Sequence, residues 1–159
     1  MSKTKYVKYA DRGFWAYDVT LGVFLKHLID AAEASDEATT EWLSRAISSW
    51  RAAACVSDYG LSLDARWSEM QQQLFVALTE LACALLAERT SIPAAEIVAW
   101  PLLDDLHIFP RGVTEVFTAP VAELGRAIIA LVSGTLPEAP SGMAWLYADT
   151  GRETLPMGP

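Results

Sequence analysis

The chain has 159 residues, of which 52% are hydrophobic. So apolar a chain buries enough surface to offset its ordering entropy, which excludes a disordered protein. Its 12 basic and 20 acidic residues give a net charge of −8, and this argues against DNA or RNA as a direct ligand because phosphate binding needs a basic face. We therefore expect one globular domain over residues 1–159 that binds no nucleic acid.

The first 12 residues, MSKTKYVKYADR, are predicted as an N-terminal arm. They are basic, but no apolar segment follows them, so they do not read as a secretory signal. The longest stretch without a charged residue, 127–137, is shorter than the about 20 apolar residues that a membrane span needs. We therefore expect a cytoplasmic protein without a membrane span. Cys55 and Cys83, in apolar helical contexts, are predicted as reduced, buried thiols.

Helical spacing of apolar residues dominates the chain. It predicts helices at 14–33, 40–56 and 62–90, a short helix after Pro93, and a helix at 119–133. In the long helix at 62–90, Ser62 is the predicted N-cap, and Leu74 and Leu78 are predicted among the most buried residues. This helix is predicted to be central, with 14–33 packed along it.

The last third of the chain loses the helical period. Residues 100–120 contain three prolines and a glycine and are predicted as an ordered apolar loop or short turns. A tail rich in Pro and Gly follows from 137 to 159, and within it a small hairpin is predicted around Asp149–Gly151. The predicted fold is an all-α bundle of four to five helices with an irregular C-terminal third.

Few motifs indicate catalysis. The two histidines are eighty residues apart and no C-x-x-C occurs, so no metal site is predicted. The phosphate-binding loop, the dinucleotide glycine fingerprint and the G-x-S-x-G elbow are missing too, so no cofactor is predicted. The best enzymatic candidates are Asp104, Asp105 and His107, whose proximity in an apolar loop suits acid–base catalysis. Carboxylates in such a loop more commonly cap a turn, so the protein is predicted not to be an enzyme.

One run of acidic residues contains no basic residue. It is DAAEASDEATTE, residues 30–41, and its carboxylates are Asp30, Glu33, Asp36, Glu37 and Glu41. Trp15 lies on the preceding predicted helix, on one line with Val19 and Val23. Aromatic anchors surrounded by charge are typical of binding hot spots, and acids speed encounter with a basic partner. We predict that Trp15 and these five acids form a partner-binding surface.

A small, acidic, helical, tryptophan-rich chain with a stretch such as YADRGFWAYDVTLGVFLKHLID, residues 9–30, resembles the immunity proteins of bacterial polymorphic and contact-dependent toxin systems. The resemblance implies a cytoplasmic, non-catalytic protein that binds and neutralises a cognate toxin domain, often a basic nuclease. Two alternatives stay open. One is a secretion chaperone or adaptor, although such chaperones mix strands with helices and strand signals are poor here outside 105–118 and the tail. The other is a small helical enzyme that uses Asp104, Asp105 and His107.

Overall fold

The computed structural model describes residues 3–157 and shows a mixed α/β fold in which helices pack on a β-sheet. The strands are β1 (Thr4–Tyr9), β2 (Arg12–Tyr17), β3 (Leu61–Leu63), β4 (Ser91–Pro93), β5 (Glu115–Phe117), β6 (Met143–Ala148) and β7 (Gly151–Pro156). The helices are α1 (Asp18–Glu33), α2 (Glu41–Cys55), α3 (Glu69–Leu86), α4 (Ala94–Ala99) and α5 (Thr118–Ser133). The prediction of an all-α bundle is therefore wrong.

The main sheet has the strand order β3-β1-β2-β6-β7 and joins the two ends of the described chain. β1 and β2 form one antiparallel hairpin, β6 and β7 form a second, and β2 pairs with β6 in parallel. The predicted arm (1–12) and tail (137–159) thus supply three of the five strands, β1, β6 and β7, and the first residue of β2. Their outermost residues Met1, Ser2, Gly158 and Pro159 lie outside the described part. The predicted hairpin around Asp149–Gly151 is confirmed, since Ala148 pairs with Gly151.

The strand β2 lies where the sequence predicted the start of a helix. Phe14 and Ala16 are buried while Trp15 and Tyr17 are half-buried, so successive residues alternate between the two faces. Helix α1 starts only at Asp18. The prediction of a helix over 14–33 is wrong for its first four residues because a short aromatic strand, which suits β-structure, runs directly into an amphipathic helix.

Helix α1 is the centre of the molecule. It packs against α2, α3 and α5 and also contacts β1 and β2. Its buried residues therefore lie on several sides of the helix instead of forming one stripe. They include Val19 and Val23 on one side and Leu21, Leu25 and Leu28 on others. The central position that the sequence assigned to 62–90 belongs to α1.

The predicted helix at 62–90 is shorter than expected. Residues 61–63 form β3, which pairs in parallel with β1, and α3 begins at Glu69. Its N-cap is Ser68 and not Ser62: the Ser68 side chain accepts from the Gln71 backbone N–H, and the Gln71 side chain accepts from the Ser68 N–H. This reciprocal capping box satisfies two otherwise unpaired N–H groups and marks where the helix starts.

Burial along α3 differs from the predicted stripe. Leu78 is 4% exposed, as predicted, whereas Leu74 is half-buried and Leu81 is 52% exposed. We expect Leu78→Ala to lower the free energy of unfolding by about 2–5 kcal/mol, as large-to-small changes in a core do. Leu81→Ala, on the same helix, should change it by roughly 0.5 kcal/mol or less. Urea unfolding of both variants measures the difference, and equal losses would contradict the packing of α3.

The other predicted helices are confirmed within two residues of their predicted ends: α2, α4 after Pro93, and α5. The segment 100–120 is irregular up to Thr114, as predicted, but its last part forms β5, which pairs antiparallel with β4 in a separate two-stranded sheet. Among the helices of residues 3–157, none is both long and apolar enough to span a membrane. Cys55 and Cys83 are free thiols, although both are half-buried and not fully enclosed.

Candidate functional site

The five carboxylates predicted to bind a partner lie at the end of α1, in the turn that follows and at the start of α2. We name this group the acidic corner: Asp30, Glu33, Asp36, Glu37 and Glu41. All five residues are exposed. Three of them form ion pairs at 2.6 Å with basic side chains: Asp30 with Lys26, Glu33 with Arg51, and Glu41 with Arg45.

The remaining two carboxylates, Asp36 and Glu37, have no basic group within 4.0 Å in the part of the chain that the structure describes. They lie in the turn between α1 and α2, where the Glu37 carbonyl accepts from the Thr40 hydroxyl at 2.7 Å. Their backbone is thus held while their charges face solvent. These two residues supply the negative charge that the corner presents.

The structure does not bring Trp15 onto a helical line with Val19 and Val23. Trp15 belongs to β2 and lies on the sheet face turned away from the helices, where its ring stacks edgewise on Tyr6 with centroids 4.9 Å apart. Val19 and Val23 belong to α1, and both are buried in the core. The predicted line of three residues on one helix is therefore wrong, and Trp15 stands on a different element from the acidic corner.

Two other tryptophans lie beside the acidic corner. Trp42 follows Glu41 in the first turn of α2, and its ring meets the ring of Trp67 edgewise with centroids 5.9 Å apart. The rings border a surface pocket of about 310 Å³, whose lining also includes Arg45, Trp50 and Asp64. We name this the tryptophan pocket. Trp50 is 1% exposed and forms its floor, packed on Phe75 with ring centroids 5.8 Å apart.

Arg45 connects the pocket to the corner. Arg45 is one of the lining residues of the tryptophan pocket, and its guanidinium donates to the Glu41 carboxylate at 2.6 Å. On the other side of the pocket, the Arg66 backbone N–H donates to Asp64 at 2.9 Å, and this bond holds the pKa of the Asp64 carboxyl below its usual value. The pocket therefore combines aromatic walls with one carboxylate, Asp64, and it adjoins the acidic corner through the ion pair of Arg45 with Glu41.

Sequence analysis did not identify Trp42 and Trp67 as site residues, because nothing in the sequence indicates that their rings are in contact. They are twenty-five positions apart, and Trp67 precedes α3 in a loop that the sequence predicted as helix. One signal was present: Trp42 directly follows the last carboxylate of the acidic run.

The three residues proposed for acid–base catalysis are only partly brought together. Asp104 and Asp105 are exposed in a tight turn closed by the Leu103–Leu106 bridge. His107 instead lines a separate cleft: its Nδ1 lies 2.9 Å from the Ile108 carbonyl oxygen, and its ring stacks on Phe109 at 4.5 Å between centroids. Exposed carboxylates in a turn are solvated, which is a poor setting for general acid–base chemistry.

The tryptophan pocket offers aromatic walls, with one carboxylate, Asp64, and one cation, Arg45, in its lining. An Arg or Lys of a partner over an indole face gains from the ring quadrupole. Within residues 3–157, no three His, Cys, Asp or Glu side chains converge as metal ligands would. No protein-family model, curated protein or solved structure matches the chain.

Proposed function

We propose that this protein binds a basic protein partner through the tryptophan pocket and the acidic corner, and that it neutralises that partner as an immunity protein neutralises a toxin domain. The observation that carries the proposal is the contact between the two features: Arg45 lines the pocket and pairs with Glu41 of the corner. The pocket and the corner therefore adjoin at the start of α2, and the unpaired charges of Asp36 and Glu37 lie in the turn just before that helix.

The two parts of this surface contribute differently to binding. The pocket takes a cationic or aromatic side chain of the partner, and burying such an anchor lengthens the lifetime of the complex. Asp36, Glu37 and the overall charge of −8 attract a basic partner before contact, which raises the association rate. Binding that uses both parts is fast at low salt and strongly dependent on ionic strength.

The mixed sheet supports a second candidate function, that of a secretion chaperone. Poor strand signals counted against that class in the sequence analysis, and the seven strands within residues 3–157 remove that objection. The two classes differ in what they bind, because a chaperone holds an unfolded export segment whereas an immunity protein binds a folded toxin domain. Binding to a chemically unfolded partner but not to its folded form would select the chaperone.

The charge contribution is tested by reversing the unpaired acids. We expect the double variant Asp36→Lys, Glu37→Lys to associate about tenfold more slowly at low salt with the toxin domain proposed as its partner, and to lose most of the salt dependence. Stopped-flow association kinetics at several salt concentrations measures both quantities. Glu33 is left intact because it pairs with Arg51, and its reversal would place two cations together.

A matched control separates local from global charge. Glu88→Lys with Glu138→Lys changes the net charge by the same amount at two exposed positions outside the acidic corner. This control should slow association far less, since a screened charge acts mainly within about 10 Å at ordinary salt. Equal slowing in both double variants would contradict the assignment of the acidic corner as the binding surface.

A further inference from the structure

A second cavity lies on another part of the molecule. It is a cleft of about 280 Å³ between β1, the start of α1, the end of α2 and the loop at 107–111. We name it the Lys5 cleft. Its polar lining includes Lys5, Asp18, Ser57, His107 and Arg111. Its volume is just below the range of about 300–1,000 Å³ for pockets of drug-sized ligands, so the cleft suits a smaller ligand.

Lys5 is an inward-pointing lysine on a strand, and it is 6% exposed. Its ammonium donates to the carbonyl oxygens of Ala53 at 2.7 Å and Val56 at 3.0 Å, where α2 ends. An ammonium has three donors, and within residues 3–157 these two carbonyls are the only protein acceptors that it meets. Burial lowers the pKa of Lys5, so a negative charge brought into the cleft would offset a real desolvation cost.

Arg111 is the second cation of the cleft. Its Nε and Nη2 both approach the Oδ2 atom of Asp18, at 2.9 and 2.8 Å, while Oδ1 of Asp18 accepts from the Val19 backbone N–H at 2.8 Å. The Asp18 carboxylate is therefore held in place by three donors. Two cationic side chains and one carboxylate leave the cleft with one net positive charge in a protein whose net charge is −8.

The remaining walls are apolar. Ala54 and Ile108 line the cleft, and Phe109, which is 59% exposed, stands at its mouth. An exposed phenylalanine beside a buried ammonium matches a ligand with one charged end and one apolar body.

We propose that the Lys5 cleft binds a small monocarboxylate, with its carboxylate on Lys5 and Arg111 and its apolar body against Phe109. The single net positive charge matches one carboxylate and leaves a phosphate dianion under-compensated. The Lys5 cleft is separate from the tryptophan pocket and the acidic corner, so ligand binding in the cleft can be tested independently of partner binding.

Benzoate is the first probe, titrated into the isotope-labelled protein while backbone amide shifts are recorded by NMR. We expect saturable shifts confined to residues that line the cleft, such as Ser57 and His107 to Arg111. Benzyl alcohol has the same ring without the charge and should bind far more weakly. Inorganic phosphate should also bind more weakly. Unsaturated or scattered shifts with benzoate, or tighter binding of phosphate, would overturn the proposal.

Two variants with opposite expected effects on benzoate affinity distinguish a change in ligand contacts from general damage to the fold. Arg111→Gln removes a charge-assisted donor and should weaken benzoate binding about tenfold or more. Asp18→Asn removes the competing negative charge, frees Arg111 and should strengthen binding roughly threefold. Lys8→Gln, an exposed lysine on the same strand as Lys5, is the matched control and should leave affinity unchanged. Weaker binding in Asp18→Asn, or equal loss in the Lys8 control, would contradict the assigned contacts.

Discussion

Replacing Tyr147 by alanine is expected to lower the free energy of unfolding by about 3–5 kcal/mol, the range for removing a buried aromatic ring. Tyr147 lies on β6, is 2% exposed, and packs on Phe14 of β2 with ring centroids 4.7 Å apart. The two rings belong to opposite ends of the chain and join the two hairpins of the sheet. Their packing should therefore stabilise the whole domain and not the C-terminal hairpin alone.

Tyr59→Ala is the control for this variant, because Tyr59 is 57% exposed. It should change the free energy of unfolding by roughly 0.5 kcal/mol or less. Urea denaturation followed by fluorescence gives both values. Two equally small losses would show that residues 143–156 do not pack as part of the sheet.

Trp42→Ala is expected to have the largest effect on partner binding. Hot-spot tryptophans lose at least about 2 kcal/mol of binding energy on truncation, which corresponds to roughly thirtyfold faster dissociation. Trp42 borders the tryptophan pocket next to Glu41, so its loss opens one wall of the pocket. The association rate should change much less, because the charges of the acidic corner are unaltered.

Trp15→Ala is the matched comparison, since Trp15 is also half-buried and also stacks edgewise on one aromatic ring. It should leave dissociation nearly unchanged. Surface plasmon resonance measures both rates, and an unfolding curve for each variant confirms that the protein remains folded. Faster dissociation in Trp15→Ala than in Trp42→Ala would move the binding surface to the open face of the sheet.

Helices in the middle of the chain could be predicted from sequence because each carries its own amphipathic period. α2 and α5 are examples, and the hairpin at Asp149–Gly151 was predictable from its turn residues. The capping box at Ser68 and Gln71 was also readable, and it would have placed the start of α3 correctly.

The N-terminal hairpin could not be predicted in the same way. β1 alternates, but its buried positions include a lysine, Lys5, and its outer positions include an aromatic residue, Tyr6. This mixture hides the period of two that marks a strand. No polar cap separates β2 from α1 either, because the N-cap position is Tyr17, whose side chain makes no capping bond. A helical wheel drawn across that junction therefore looked continuous.

Only part of the candidate site could be predicted, because some of its features are local in the sequence and others depend on contacts between distant segments. A run of acids is visible in any sequence, and the pairing of Lys26 with Asp30 follows from their spacing on one helix. The pairing of Arg51 with Glu33 depends on how α1 packs against α2, and the pocket depends on the approach of Trp67 to Trp42. Contacts between distant segments need the tertiary fold, which local patterns do not encode.

Neutralisation of a toxin domain is tested most directly by co-expression in bacteria with the toxin domain proposed as its partner. Cells carrying the wild-type protein should survive, and the two proteins should co-elute in gel filtration. Cells carrying the folded triple variant Asp36→Lys, Glu37→Lys, Trp42→Ala should die, with no complex recovered. Death of cells that carry the wild-type protein, together with the absence of a complex in gel filtration, would contradict the proposed function.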